Sequence, residues 1–219
     1  MTPSTRNLQT LAGLTQTRRL MKSLAMLDAI FAPKEPHSRY YSFNARWDEG
    51  EMFAAMRDGC GDEWTCLFTG AGAILSGLAR ESPMYRPGEP WPGVFDGVPE
   101  EFAGFLSEPA FDNANRTFCI WRRAGDATWS RGPVAYVPGD DPDGSAALLE
   151  LLDGRPASYA RWATEYYEPR APVDVDAVTQ VYAHRPLTAA LVARLNPAAA
   201  LDDLRADIEE IGYPETGPR

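Results

Sequence analysis

The sequence predicts an α+β fold, in which an antiparallel sheet is preceded by a long N-terminal helix and followed by a helical region. Three observations carry this reading. Apolar residues keep a helical period through the first 31 positions, short aromatic runs separated by turn residues follow from position 39, and helical spacing returns after Pro138.

In the first segment Leu8, Leu11, Leu14, Arg18, Met21, Leu24, Leu27 and Phe31 recur at spacings of three and four. This is the pattern of an amphipathic helix, and Pro33 and Pro36 stop it. The period then changes. Residues 39–43 (RYYSF), 51–57 (EMFAAMR), 63–69 (EWTCLFT) and 73–79 (AILSGLA) read as strands, joined by the turn-forming stretches NARWDEG, DGCGD and GAG. Alternation puts Met52, Ala54 and Met56 on one face, and likewise Trp64, Cys66 and Phe68, and Ile74, Ser76 and Leu78. A meander of about four strands is expected.

Residues 80–99 hold Pro83, Pro87, Pro90, Pro92 and Pro99, which suit neither a helix interior nor a central strand, so a long loop is expected, then a short helix over 100–106. Strand signals return at 117–123, 127–130 and 134–137, adding two or three strands to the same sheet. Beyond Pro138, Ser145 caps a helix ending at Asp153 and Gly154. Pro156 opens another, with Tyr159, Trp162, Ala163 and Tyr166 on one face, stopped by Pro169 and Pro172. Residues 173–182 fit a strand or a helix. Thr188 caps a helix to Leu195, and Pro197 opens a last one with Leu201, Leu204, Ile208 and Ile211 on one face and Gly212 beyond its end. With no linker or repeat, one domain is expected over 1–219: N-terminal helix to 36, mainly β over 37–138, mainly helical over 139–219.

Composition narrows the function. Hydrophobic residues make up 44% and charged residues 24%, too apolar for a disordered chain. The 21 basic and 31 acidic side chains leave a net charge of −10, which argues against a nucleic-acid groove, because affinity for phosphates comes from clustered Lys and Arg. The charge is unevenly spread. Residues 1–27 carry Arg6, Arg18, Arg19 and Lys22 and no acid, whereas 139–153 carry five acids and no base. The basic start superficially resembles a transit peptide, but the amphipathic helix accounts for it. No run approaches the ~18–20 apolar residues of a membrane helix, and the stretch ending at Phe31 contains Asp28. Cys60, Cys66 and Cys119 form an odd set with no CxxC, which fits reduced thiols and neither a disulfide framework nor tetrahedral zinc. A cytoplasmic protein, off the membrane and without a cofactor, is expected.

Motifs for catalysis are weak. His37 and His184 are the only histidines, no GxSxG surrounds a serine, and both histidines read as structural or solvated. Residues 139–150 (GDDPDGSAALLE) nearly spell a calcium loop, but the first position is Gly139 and no helix enters it; Asp143, Gly144 and Ser145 read as a turn and helix cap. Gly70 and Gly72 complete no phosphate-binding pattern and read as a hairpin turn. The densest polar and aromatic cluster is Asn44 to Glu63. Meander geometry sends Arg46, Trp47, Asp48 and Glu49 to one sheet end and Arg57, Asp58, Asp62 and Glu63 to the other. Trp47 and Trp91 lie in turn and loop contexts that suit surface anchors, while Trp64, Trp121 and Trp162 read as core.

YYSFNARWDEGEMFAAMRDGCGD, EPWPGVFDGVPEEFAGFLSEPAF and TFCIWRR together resemble a group of bacterial hypothetical proteins that share YSFN, W-x-x-GE, MR-x-G-x-GD and PWPG segments. The resemblance covers residues 20–125, with a weaker echo in LLDGRPASYARWATEYYE. The group carries no assigned activity, so the resemblance implies a bacterial, cytosolic protein and no mechanism.

Two functional readings compete. The first is a non-enzymatic, acidic protein-binding domain, comparable to toxin-neutralising immunity proteins, that binds a partner with a basic surface through Arg46, Trp47, Asp48, Tyr85 and Trp91. The second is a small hydrolase built on Asp48, Glu51, Arg57 or Asp62, which requires those groups to converge in one pocket. A homodimer joined through the helical C-terminal half is a further expectation.

Overall fold

Gly13 separates a single 3-10 turn, Leu8–Thr10, from helix α1, Leu14–Phe31, in the computed structural model, which describes residues 2–214. The end of the expected helical region, 215–219, lies outside the described residues, as does Met1. The long N-terminal helix therefore begins six positions later than the leucine spacing implies, because the backbone of Gly13 is extended and starts a new helix there. Among the described residues no helix is long and apolar enough to cross a membrane.

A six-stranded antiparallel sheet follows, with its strands in sequence order. They are β1, Tyr41–Asp48; β2, Glu51–Arg57; β3, Glu63–Thr69; β4, Gly72–Leu78; β5, Phe118–Arg123; and β6, Ser130–Arg131. Strands β2 and β3 have the expected bounds. Strand β1 does not: it starts at Tyr41 and continues through NARWD, leaving only Glu49 and Gly50 in the turn, with Gly50 at φ +74°. The expected strand at 134–137 is absent. Pro133 and Pro138 bracket it without an N–H to give a ladder, and the Trp91 indole N–H takes the Ala135 carbonyl.

The sheet parts two apolar layers. Tyr41, Phe43, Met56, Trp64 and Phe68 face the helices. Phe53, Leu67, Ile74 and Trp121 face the long loop, whose Val94 and Phe111 pack there with Phe102 and the short helix α2, Ala103–Ser107. Helix α3 is only Ser145–Leu148, and the structure corrects its expected cap: Gly144 holds the cap position at φ +74°, and the Asp141 carboxylate accepts the Ala146 and Ala147 amides. Helix α4, Pro156–Tyr167, opens at Pro156 as expected. Residues 173–182 resolve as helix α5, Val175–Tyr182, because the Asp174 side chain accepts the Asp176 and Ala177 amides. Thr188 caps α6, Ala189–Leu195. The last helix, α7, is Arg205–Ile211, preceded by a 3-10 turn at Leu201–Leu204 and so shorter than a start at Pro197 implies.

The basic start and the acidic segment of the chain meet. Thr5 donates through its hydroxyl to Asp143 and through its amide to Ser145 Oγ at 3.0 Å, while the Arg6 guanidinium donates to the Gly139 and Asp140 carbonyls.

Candidate functional site

Strand β1 is an edge strand, and its pairing with β2 is bulged where the sequence becomes polar. Asn44 pairs with Phe53 and Asp48 with Glu51, so Ala45, Arg46 and Trp47 oppose Met52 alone. Extra residues on one strand bend it and re-aim its side chains. Continuing the alternation of Tyr41 and Phe43 would point Trp47 at the helices. Instead its indole stacks on Phe53 in the opposite layer, with ring centroids 4.7 Å apart and planes 29° from parallel. Phe53 in turn lies parallel to Phe111, 5.6 Å away, and Phe105 packs on Phe111 at 4.7 Å. An aromatic column thus fixes the indole from behind while 40% of Trp47 stays exposed.

Carboxylates adjoin this tip. Asp48 and Glu49 are exposed beside it, and the Glu51 carboxyl is held above its ordinary pKa by partial burial and by the negative charges of Asp48 and Glu108. Arg46, the one base in this turn, pairs with Glu209 of α7 at 3.2 Å. Acidic groups therefore outnumber the one paired base beside a ring packed on one face.

Tyr85 and Trp91 belong to the long loop rather than to the β1 tip. Trp91 is half-buried against the loop-side layer, its amide donating to the Arg116 carbonyl and its indole to Ala135. Tyr85 is half-buried with the Arg80 guanidinium 6.0 Å from its ring centre. Among the described residues no ring contact joins either of them to Trp47.

The carboxylate and arginine set of the hydrolase reading is split. Glu51 and Arg57 are the two ends of β2, about 20 Å apart at the rise of an extended strand. At the far end the groups serve the turn: Asp58 Oδ1 accepts the amides of Cys60, Gly61 and Asp62, and Asp62 accepts that of Arg80. Glu63 receives Arg57 and the buried Arg116. His37 is exposed. His184 has its Nε2 2.7 Å from the Arg19 carbonyl and its ring against Tyr213, and burial lowers its pKa. All three cysteines are free, and burial pushes Cys66 and Cys119 well up. Among the described residues no group of three or more His, Cys, Asp or Glu is placed to hold a metal ion. Gly72 allows β4 to approach β5, since a Cβ there would run into the Arg122 carbonyl.

One buried group escaped the sequence reading. Asp28, on the apolar face of α1, is fully enclosed and accepts the Tyr40 and Tyr41 amides at 2.8 Å each and the Tyr159 hydroxyl at 2.6 Å. Burial raises its pKa to about 6, against the opposing effect of these three bonds. It fixes the start of β1, the strand whose other end carries Trp47. Its one trace in the sequence is an acid inside the apolar run LAMLDAIF.

Comparison with family models, with curated proteins and with solved structures finds no match for the chain.

Proposed function

We propose that this is a non-enzymatic binding protein that docks a basic protein partner at the Trp47 end of β1. The observation that carries the reading is the combination at Trp47: an exposed indole stacked on Phe53, next in the chain to Asp48, which pairs with Glu51, whose carboxyl also feels Glu108. Interfaces draw most of their energy from a few large aromatic anchors, and an anchor immobilised beforehand loses little entropy on binding. The acidic groups beside Trp47, on a chain of net charge −10, steer positively charged surfaces toward it. The bulge disfavours strand addition along the β1 edge, so recognition runs through side chains. A protein that masks a basic partner, as toxin-neutralising immunity proteins do, has this design. The hydrolase alternative has less support, because its four groups are divided between the two ends of β2, Asp48 and Glu51 at one and Arg57 and Asp62 at the other.

The test is affinity capture from the native host at low salt with wild-type protein, Trp47→Ala and the double variant Asp48→Lys, Glu51→Lys. The expected result is a basic partner retained by the wild type and lost from both variants. A partner retained equally by Trp47→Ala overturns the proposal.

A further inference from the structure

Far from Trp47, a cavity of about 630 Å³ opens between the segment that follows α4 and the end of α6. We propose that it is a site for a small amphipathic carboxylate, with an apolar body and a single anionic head.

The apolar half of the site is preformed. Phe31 and Tyr167 lie stacked at its base, centroids 5.0 Å apart and planes 13° from parallel, with Val173 and Leu195 beside them. Pro169, Pro172 and Pro197 stand in the walls, and fixed φ angles reduce the ordering cost that a ligand would otherwise meet. Asn196 ties one wall to the end of α1 by donating to the Ile30 carbonyl at 2.8 Å, and its own side-chain oxygen holds the Ala198 amide at 3.0 Å. The volume lies within the roughly 300–1,000 Å³ typical of small-molecule pockets.

The polar half selects the charge of the ligand. Arg170 and Arg194 both line the cavity, and Glu168 is the one acid among the lining residues. Arg194 is already engaged, its Nε and Nη2 both bonded to Asp174 at 3.0 and 2.7 Å. Arg170 has no hydrogen bond or ion pair among the described residues. One uncommitted, exposed guanidinium on the lining of a partly apolar cavity matches a monoanion such as a carboxylate, which it can hold through two parallel N–H bonds. A phosphate dianion would call for more cationic partners than the cavity offers.

The test is an amide NMR titration of the full chain with phenylacetate, indole-3-acetate and octanoate, alongside neutral phenylacetamide. The expected result is saturable shifts centred on residues 167–173 and 194–198 for at least one carboxylate, with phenylacetamide and the Arg170→Gln protein each binding about tenfold more weakly. Ala198→Trp, which fills the cavity from its exposed side, should abolish the shifts while leaving the rest of the spectrum intact. The proposal is overturned by the absence of saturable shifts for all three carboxylates up to roughly 10 mM. It is equally overturned by shifts located elsewhere, or by affinities indifferent to Arg170→Gln.

Discussion

Asp28 and Tyr159 meet at 2.6 Å inside the helical layer, carboxylate to phenol, and through them α1 is tied both to α4 and to the first residues of β1. Asp28→Ala strips the acceptor from two buried donors and one part-buried one, so a loss of about 3 kcal/mol is expected in urea unfolding. Asp28→Asn should retain most of the stability, because its Oδ1 accepts the two amides while its Nδ2 donates to the Tyr159 oxygen. Equal losses for the two variants would refute the clasp.

The same carboxyl sets a pH dependence. Its pKa is about 6 in the folded protein, against ~3.9 for an unfolded aspartate. The folded state therefore binds the proton more tightly, and this stabilisation is fully present below about pH 4 and lost as pH rises through about 6. A two-unit difference corresponds to about 3 kcal/mol as a ceiling. Asp143 is also raised by burial, with the same sign, so the informative quantity is the difference between wild type and Asp28→Asn. Unfolding curves at pH 4, 5, 6 and 7 should show the variant gaining on the wild type as pH rises. A constant difference contradicts the assignment.

Arg116 links core stability to the proposed binding surface. Its side chain is wholly buried, one nitrogen pairs with Glu63 at 2.9 Å, and another donates to the carbonyl of Phe111, the ring behind Phe53 and Trp47. Removing one partner of a buried ion pair is costly, so Arg116→Ala should lose about 3–4 kcal/mol. Arg116→Met combined with Glu63→Gln should recover part of that loss, as read in the urea midpoint. No recovery would show that the pair does more than satisfy its own charges.

Trp47 and Phe53 touch, yet their truncations should differ in kind. Phe53 is 9% exposed and central to the aromatic column, so Phe53→Ala should cost about 3–4 kcal/mol of folding stability. Trp47 is 40% exposed, and Trp47→Ala should cost about 1 kcal/mol or less. Thermal melts of the two variants check this. A large loss for Trp47→Ala would make the indole a structural residue.

The sequence made β2 and β3 readable to the residue, because clean alternation there is bounded by turn residues. The bulge was hidden for the opposite reason: Asn44, Asp48 and the charges between them look like turn chemistry, and only pairing with β2 shows that Trp47 changes face. Arg46, Trp47 and Asp48 were legible as neighbours, whereas the packing of Trp91 on the loop-side layer and its indole bond to Ala135 depend on how the long loop crosses the sheet. Asp28 was illegible because its partners are backbone amides 12 and 13 residues on and a tyrosine 131 residues away.

The proposed docking role stands most directly on the dissociation constant of the captured partner, measured by calorimetry for wild type, Trp47→Ala and Trp91→Ala at two salt concentrations. We expect Trp47→Ala to weaken binding about thirtyfold or more, the scale of a hot-spot residue, Trp91→Ala to change it by less than about threefold, and salt to weaken the wild type. Unchanged affinity for Trp47→Ala, in a protein that remains folded, would contradict the docking site.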